Sequence, residues 1–303
     1  MKGVCMDSDD LAVFLAAAEA GSVGRAAARL HVVQSAVTTR VRKMEDRLGV
    51  QLFRRHARGV TLTAAGEALL PYARQITHLI AEAQQVVTDP KIPRGRLLIG
   101  AIETATALHL GGRLAAFNRA FPEVELTVRT GTTAELITQV LRHEVEAAFV
   151  CGPVAHAQLI AQTVTRERMV IVAPPGVADL ETAIAADHVR ILVLRRGCSY
   201  RQRLEELIAQ RGIAVLQVLE YGTIDAILEC VAAGMGMTLL PAAVLQDRLS
   251  RHTVSAIALA GPQGEAETVM VRRAQSYVSP TLQAFLGMLD PTAAPRLSLV
   301  SAA

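Results

Sequence analysis

Residues 34–48, QSAVTTRVRKMEDRL, narrow the possibilities more than any other stretch of this 303-residue chain. Val37, Val41, Met44 and Leu48 recur at i, i+4, i+7 and i+11, one narrow stripe that predicts a helix packed on protein along that face. The opposite face carries Ser35, Thr39 and Arg42, with Gln34 and Thr38 on its flank. Threonines lose rotamer freedom in a helix, so their place here asks for a reason other than helix formation. Short hydroxyls and an amide on an exposed helix can reach base edges in a DNA groove without a long stem holding the helix away. A solvated face on an ordinary three-helix bundle fits the same pattern.

The flanking sequence supplies the rest of a small helical head. DSDDLAVFLAAAEAG predicts a first helix with Ser8 as N-cap, acids in the first turn, Leu11, Phe14, Leu15 and Ala18 as its inner face, and Gly21 as its stop. SVGRAAARL follows, capped by Ser22, with Val23, Ala26, Ala27 and Leu30 facing inward. A short turn at 31–33 then leads into the helix of 34–48, which Gly49 ends. Positions 40–58 hold seven Lys or Arg against Glu45 and Asp46, whereas beyond residue 90 the chain is balanced at 20 basic and 19 acidic side chains. A basic patch on a balanced remainder suggests that one part meets a polyanion while another part does something else. Arg40, Arg42 and Lys43 would hold phosphates, which contribute affinity and salt dependence but little sequence choice. LFRRHARGVTLT (52–63) reads as two short strands around a turn at Arg58 and Gly59, with Arg54, Arg55 and Arg58 projecting as a second basic device. His56 beside them reads as an incidental exposed imidazole.

Thr63 is placed to cap a long helix, Ala64 to Asp89, about 39 Å in length. Leu69, Ala73, Ile76, Ile80, Ala83 and Val87 space along it as a coiled-coil seam, and a seam needs a partner. That partner is a second copy or the chain's own later domain. Pro71 denies Glu67 its helical hydrogen bond, so a kink or a separate first turn is expected.

VFLAAAEAGSVGRAAARLHVVQSAVTTRVRKMEDRLGVQLFRRHARGVTLTAAGEALLPYA resembles the winged helix-turn-helix and linker helix of LysR-type transcriptional regulators, with the punctuation GS, AA.RL, LG..LF.R and LT.AG. The family usually has Ser where this chain has Val33, so the reading helix lacks a cap there. Members commonly begin near Met6, which leaves 1–5 as an extension or a misassigned start.

The resemblance implies an α/β protein overall: a winged helix-turn-helix (1–63), a linker and dimerisation helix (64–89), a hinge (90–96) and an effector-binding domain (97–303). That domain has two lobes like a periplasmic binding protein, lobe I about 97–163 and 268–303, lobe II about 164–267. The alternation itself reads as a parallel α/β sheet: LLIGA, a helical stretch to Phe121, VELTVRT, a helix from Thr133 and AAFVCG, then a second set through ILVLRRG, VLQVLEYG and MTLLP. The partners implied are double-stranded promoter DNA, a small-molecule effector, a second copy of the chain with a further pairing into a tetramer, and RNA polymerase.

Open α/β sheets bind ligands beyond the carboxyl ends of their strands, where helices begin. By position, the family's cleft falls here on Glu103, Thr104, Thr133, Cys151, Cys198, Ser199 and Thr223. Thr133, Ser199 and Thr223 read equally as helix caps. Glu103 suits an amine-bearing effector or an internal pair with Arg201. Cys198, near Arg195, Arg196, Arg201 and Arg203, has reasons for a lowered pKa, and resembles by position the peroxide-sensing branch of the family. The second cysteine expected several residues later is absent, so redox sensing stands as the alternative to effector binding.

Other classes are disfavoured. GMGM lacks the third glycine of a dinucleotide loop, HEVE lacks the second His of a zinc protease, and there is no GxSxG. Four dispersed cysteines have neither zinc spacing nor disulfide density. No enzyme, cofactor or metal is expected. No apolar run approaches a membrane span, and MKGVCMDSDD turns acidic where a signal peptide turns apolar, so a cytoplasmic location without membrane contact is expected.

Overall fold

The structure, a computed structural model, describes residues 6–88, 92–184, 189–213, 215–246 and 253–289. It divides into two compact units, the first running to Lys91 and the second comprising Ile92–Leu141 and the chain from Val145 onward.

In the first unit, α1 (Ser8–Ala20), α2 (Val23–Arg29) and α3 (Gln34–Leu48) pack around Leu11, Phe14, Ala17, Ala26, Val37, Val41 and Met44. The alanines of α2 bring their backbone close to α3, as their small volume allows. Asp7, rather than Ser8, caps α1: its carboxylate accepts from the Asp10 amide at 2.7 Å, and Ser8 is already the first helical residue. Ser22 caps α2 as its spacing indicates, accepting from the Arg25 amide. Gly21 and Gly49 end α1 and α3 in the left-handed conformation.

β1 (Phe53–His56) and β2 (Gly59–Leu62) form an antiparallel hairpin, with Phe53 opposite Leu62. Its turn lies one residue earlier than expected, at 57–58, with Gly59 opening β2. Gly59 sits at φ +139°, and a Cβ there would strike the Gly21 carbonyl, so this corner admits only glycine. The Val60 amide donates to that same carbonyl at 3.0 Å, fastening the hairpin to the end of α1.

α4 (Ala64–Thr88) is 25 residues long and capped by Thr63, whose hydroxyl accepts from Gly66 at 3.1 Å. The helix continues through Pro71 instead of splitting there. Asp89, placed at its end by the sequence, lies outside the described residues. The expected seam divides in two. Leu69 and Ala73 join the core of the head, while Ile76 and Ile80, with neighbouring Tyr72 and Leu79, are exposed.

The second unit opens with β3 (Gly95–Ala101), α5 (Glu103–Ala105), a π-helical turn (Thr106–Leu110) and α6 (Gly111–Ala120). β4 (Val124–Thr130), α7 (Thr133–Leu141) and β5 (Ala147–Cys151) follow, and both β4 and β5 pair parallel to β3. β6 (Leu159–Ala173) is fifteen residues long. Next come α8 (Leu180–Ile184), β7 (Val189–Leu194), α9 (Ser199–Ala209), β8 (Val215–Tyr221), α10 (Ile224–Ala232), β9 (Thr238–Pro241), α11 (Ala242–Gln246) and β10 (Ser255–Ala258). A 3-10 turn (Gly261–Gly264), β11 (Glu265–Arg273) and α12 (Pro280–Gly287) complete it.

β6 belongs to both lobes. Its residues 159–168 pair with β11, which pairs onward with β5, β3 and β4; its residues 169–173 lie between β9 and β10. β7 and β8 pair parallel, and a bridge from Ile191 to Met237 ties them to the second lobe's sheet. The chain therefore changes lobe at 168–169 and returns at about Glu265. Buried Ile99, Phe149, Leu136 and Phe285 centre one core cluster, and Leu192, Ile227 and Leu228 under α10 centre another. Among the described residues no helix is long and apolar enough to cross a membrane.

Candidate functional site

Two surfaces carry chemistry, one in each unit. On the head, Gln34, Ser35, Thr39, Arg42 and Lys43 are exposed along α3, and Thr38 is half-buried beside them. The hydroxyls lie opposite the buried Val37, Val41 and Met44, so helical periodicity alone presents them outward. Arg54, Arg55 and Arg58 are exposed on the hairpin. His56 is engaged locally, its Nδ1 accepting from the Arg58 amide at 3.2 Å across the hairpin turn.

Arg40 differs from the other basic residues of this row. Its guanidinium lies 3.3 Å from the Asp9 carboxylate and 3.7 Å from that of Asp7, at the start of α1. The acids that hold it stand some thirty positions upstream, which is why its charge reads from sequence as a free phosphate ligand. Two further residues missed by the sequence reading fix the head's geometry. The Glu45 carboxylate accepts from the amides of Leu52 (2.8 Å) and Phe53 (3.1 Å), tying the hairpin to α3. Buried Asp10 accepts from Arg47 at 2.9 Å, tying α3 to α1. Such charge-assisted bonds resist the splaying of a reading helix from its wing.

Val33, the N-cap of α3, makes no side-chain cap bond and is 69% exposed, and Val32 before it is 45% exposed.

In the second unit a cavity of about 280 Å³ lies where β3, β4, β5, β7 and β8 end. Glu103, Thr104, Thr133, Cys151, Cys198 and Ser199 line it, as the sequence places them. Thr223 does not: it caps α10, its hydroxyl accepting from the Ala226 amide at 3.3 Å, so there the capping alternative is the observed role. Thr132, Tyr200 and Tyr221 also line the cavity and were not singled out from the sequence. Tyr200 falls one position past Ser199, on a helix whose apolar spacing marks it as core. It is indeed buried, and its hydroxyl meets Thr104 at 3.0 Å across 96 residues of chain, a separation no local pattern reports.

The cap of α7 is likewise one residue earlier than expected. Thr132 accepts from the Glu135 amide (3.3 Å) while Glu135 accepts from the Thr132 amide (2.9 Å), a reciprocal capping pair. Thr133 is thereby free to accept from the Cys151 amide at 3.3 Å. Arg195 donates to Glu135 at 2.9 Å at the rim. Arg201, considered from sequence as a partner for Glu103, is held by Glu205 (2.9 Å) and Glu220 (2.7 Å).

The thiols run opposite to the expectation of a lowered pKa. Burial raises Cys198, outweighing the amides of Tyr200 and Arg201 and the charge of Arg201. Burial likewise pushes Cys151 up to about 11, against the opposing charge of Arg203. Tyr200 is raised well above its ordinary value by the same cause. Removal from water disfavours an anion more than these neighbours favour it. Among the described residues no cluster of three or more His, Cys, Asp or Glu is arranged to hold a metal ion.

The family model described as bacterial regulatory helix-turn-helix protein, lysR family, matches residues 8–67, and that described as LysR substrate binding domain matches residues 91–294. The chain is 36% identical over 281 residues to the HTH-type transcriptional regulator GltR of Bacillus subtilis, covering 91% of this chain and 93% of GltR. It is 38% identical over 287 residues to the HTH-type transcriptional regulator YofA of Bacillus subtilis, covering 94% and 99%. Its fold matches full-length OxyR from Pseudomonas aeruginosa at a TM-score of 0.69 and 21% identity, covering 94% and 93% of the two chains. It matches full-length CbnR in complex with its target DNA at a TM-score of 0.63 and 24% identity, covering 94% and 99%.

Proposed function

The chain belongs to the LysR family of bacterial DNA-binding transcriptional regulators, and from that premise we propose how its two surfaces work together. The family is regulatory, not catalytic. In the proposed mechanism, two copies pair along the exposed part of α4 and set two heads on inverted half-sites of a promoter, a further pairing giving the tetramer. Gln34, Ser35, Thr38 and Thr39 read base edges; Arg42, Lys43, Arg54, Arg55 and Arg58 hold phosphates. Arg40 acts mainly within the head, clamping the start of α1. A small molecule entering the cleft between the lobes changes the spacing of the heads, and RNA polymerase responds to the altered promoter complex. The protein acts in the cytoplasm.

The observation that carries this reading is the exposed polar row of α3, opposite a fully buried stripe and flanked by three exposed hairpin arginines. CbnR, a protein of like fold, is seen bound to its target DNA. A ligand shifts such an assembly only by its differential affinity for two arrangements, and β6, shared between the lobes, supplies an axis about which they can differ.

Binding titrations on a fragment selected from genomic DNA and on its scrambled counterpart, each over a series of salt concentrations, test the head. Thr39→Ala flattens the preference between the two DNAs. Arg42→Ala weakens both and lowers the dependence of log K on log salt by about one unit. Equal losses on both DNAs for Thr39→Ala would sink the base-reading assignment.

The redox alternative through Cys198 has one observation in its favour, that Cys151 lines the same cavity. The raised thiol pKa values weigh against it, because the thiolate is the reactive form. Effector binding therefore takes precedence.

A further inference from the structure

Val33 is an anomaly on a surface built for a polyanion. It stands at the N-cap of the reading helix, where Ser, Thr, Asp or Asn would satisfy an unpaired amide. Valine does neither that nor any phosphate binding. It is also not core: it is 69% exposed, and Val32 adjoins it at 45%. The backbone around it is fixed. The Val32 amide donates to Ala27 at 3.0 Å, and the Val33 carbonyl accepts from Ala36 at 3.0 Å. With a single stiff χ1, the isopropyl group is held in place at little entropic cost.

When a helix-turn-helix docks, the amino-terminal residues of its second helix are the ones that meet base edges in the major groove. The base-pair edges exposed there are donors and acceptors with one apolar exception, the C5-methyl of thymine. We propose that Val33, flanked by Val32, seats a thymine methyl in each half-site, so that the sequence is read partly by an apolar contact beside the polar contacts of Gln34 and Ser35. A cap is forgone at this position, and a contact specific for one base is gained.

Deoxyuridine removes that methyl and nothing else. The test uses the full chain and its tightest fragment selected from random DNA, with each thymine replaced singly by deoxyuridine. Wild type is expected to lose about threefold to tenfold in affinity at one thymine per half-site, the size of effect that burying one methyl group gives. In Val33→Ala the penalty at that thymine disappears, while the slope of log K against log salt stays at its wild-type value. Val33→Ser, which restores a capping hydroxyl and so secures the fold, loses the penalty equally. Val50→Ala, a change at another exposed valine of the head, 47% exposed and beyond the end of α3, retains it.

Three outcomes would overturn the assignment: no thymine at which deoxyuridine weakens wild type, a penalty that persists in both Val33 variants, or a uniform loss on all fragments with a changed salt slope. The last would make Val33 a support for the phosphate contacts.

Discussion

Single residues in this protein are governed by what surrounds them across long chain separations. Cys198 sits among arginines in sequence, yet burial decides its behaviour, and Cys151 is affected more strongly still. The direction has a measurable consequence. A thiol raised to about 11 when folded and near its ordinary value of 9.0 when unfolded keeps its proton longer in the native state. Its contribution to stability is thus complete below about pH 9 and is lost as pH rises toward 11. Iodoacetamide should accordingly modify Cys151 in the native protein very slowly at pH 8, with the rate rising only as pH approaches 11, while urea-unfolded chain reacts about two pH units earlier. Mass spectrometry of the Cys151 peptide follows both rates. Fast native alkylation at pH 8 would contradict the buried environment and revive the redox alternative.

At the scale of elements, α4 has two fates along one helix. Its first turns lock onto the head through Leu69 and Ala73, and its later turns leave Ile76, Leu79 and Ile80 in water. Exposed apolar side chains at coiled-coil spacing favour a second copy of the same helix. Ile76→Asp combined with Ile80→Asp should convert the dimer to monomer in sedimentation velocity at micromolar concentration, without altering the far-ultraviolet helical signal by more than a few per cent. The seam was legible from spacing alone, but its division was not, because Ala73 is buried by Phe14 and its neighbours from a different helix. The same lesson holds elsewhere in the head. The stripe of α3 and the hairpin are local patterns and are found where sequence puts them. The Asp7 cap and the clamp on Arg40 depend on which of several adjacent acids the fold selects.

Considered whole, the molecule separates reading from sensing into two units, and the sequence shows that division as a change from clustered to balanced charge. The cleft was legible as a set of strand ends and helix starts, which yielded six of its lining residues. Its closure by Tyr200 and Tyr221 required the second lobe's register against the first. At about 280 Å³ the cavity suits a ligand smaller than a typical drug. A panel of amino acids, polyamines and carboxylates in thermal-shift assays should contain a stabiliser, worth about 2.7 kcal/mol at a hundredfold excess over its dissociation constant. Thr104→Val breaks the contact with Tyr200 and should abolish that shift, in addition to costing about 1–3 kcal/mol of basal stability through the stranded phenol. Thr223→Val should cost about 1 kcal/mol as a lost cap and leave the ligand shift intact. The reverse pattern would move the site away from this cavity.

The fifteen residues of β6 have one more consequence. A ribbon laced to neighbours at both of its ends cannot slip lengthwise without tearing a ladder, but it can wind or unwind by a few degrees per residue. The lobes are thus mounted on a common torsion bar. Whatever occupies the hollow between them adjusts pitch around a fixed axle, so a signal leaves the sensor as rotation, with the depth of its seat unchanged.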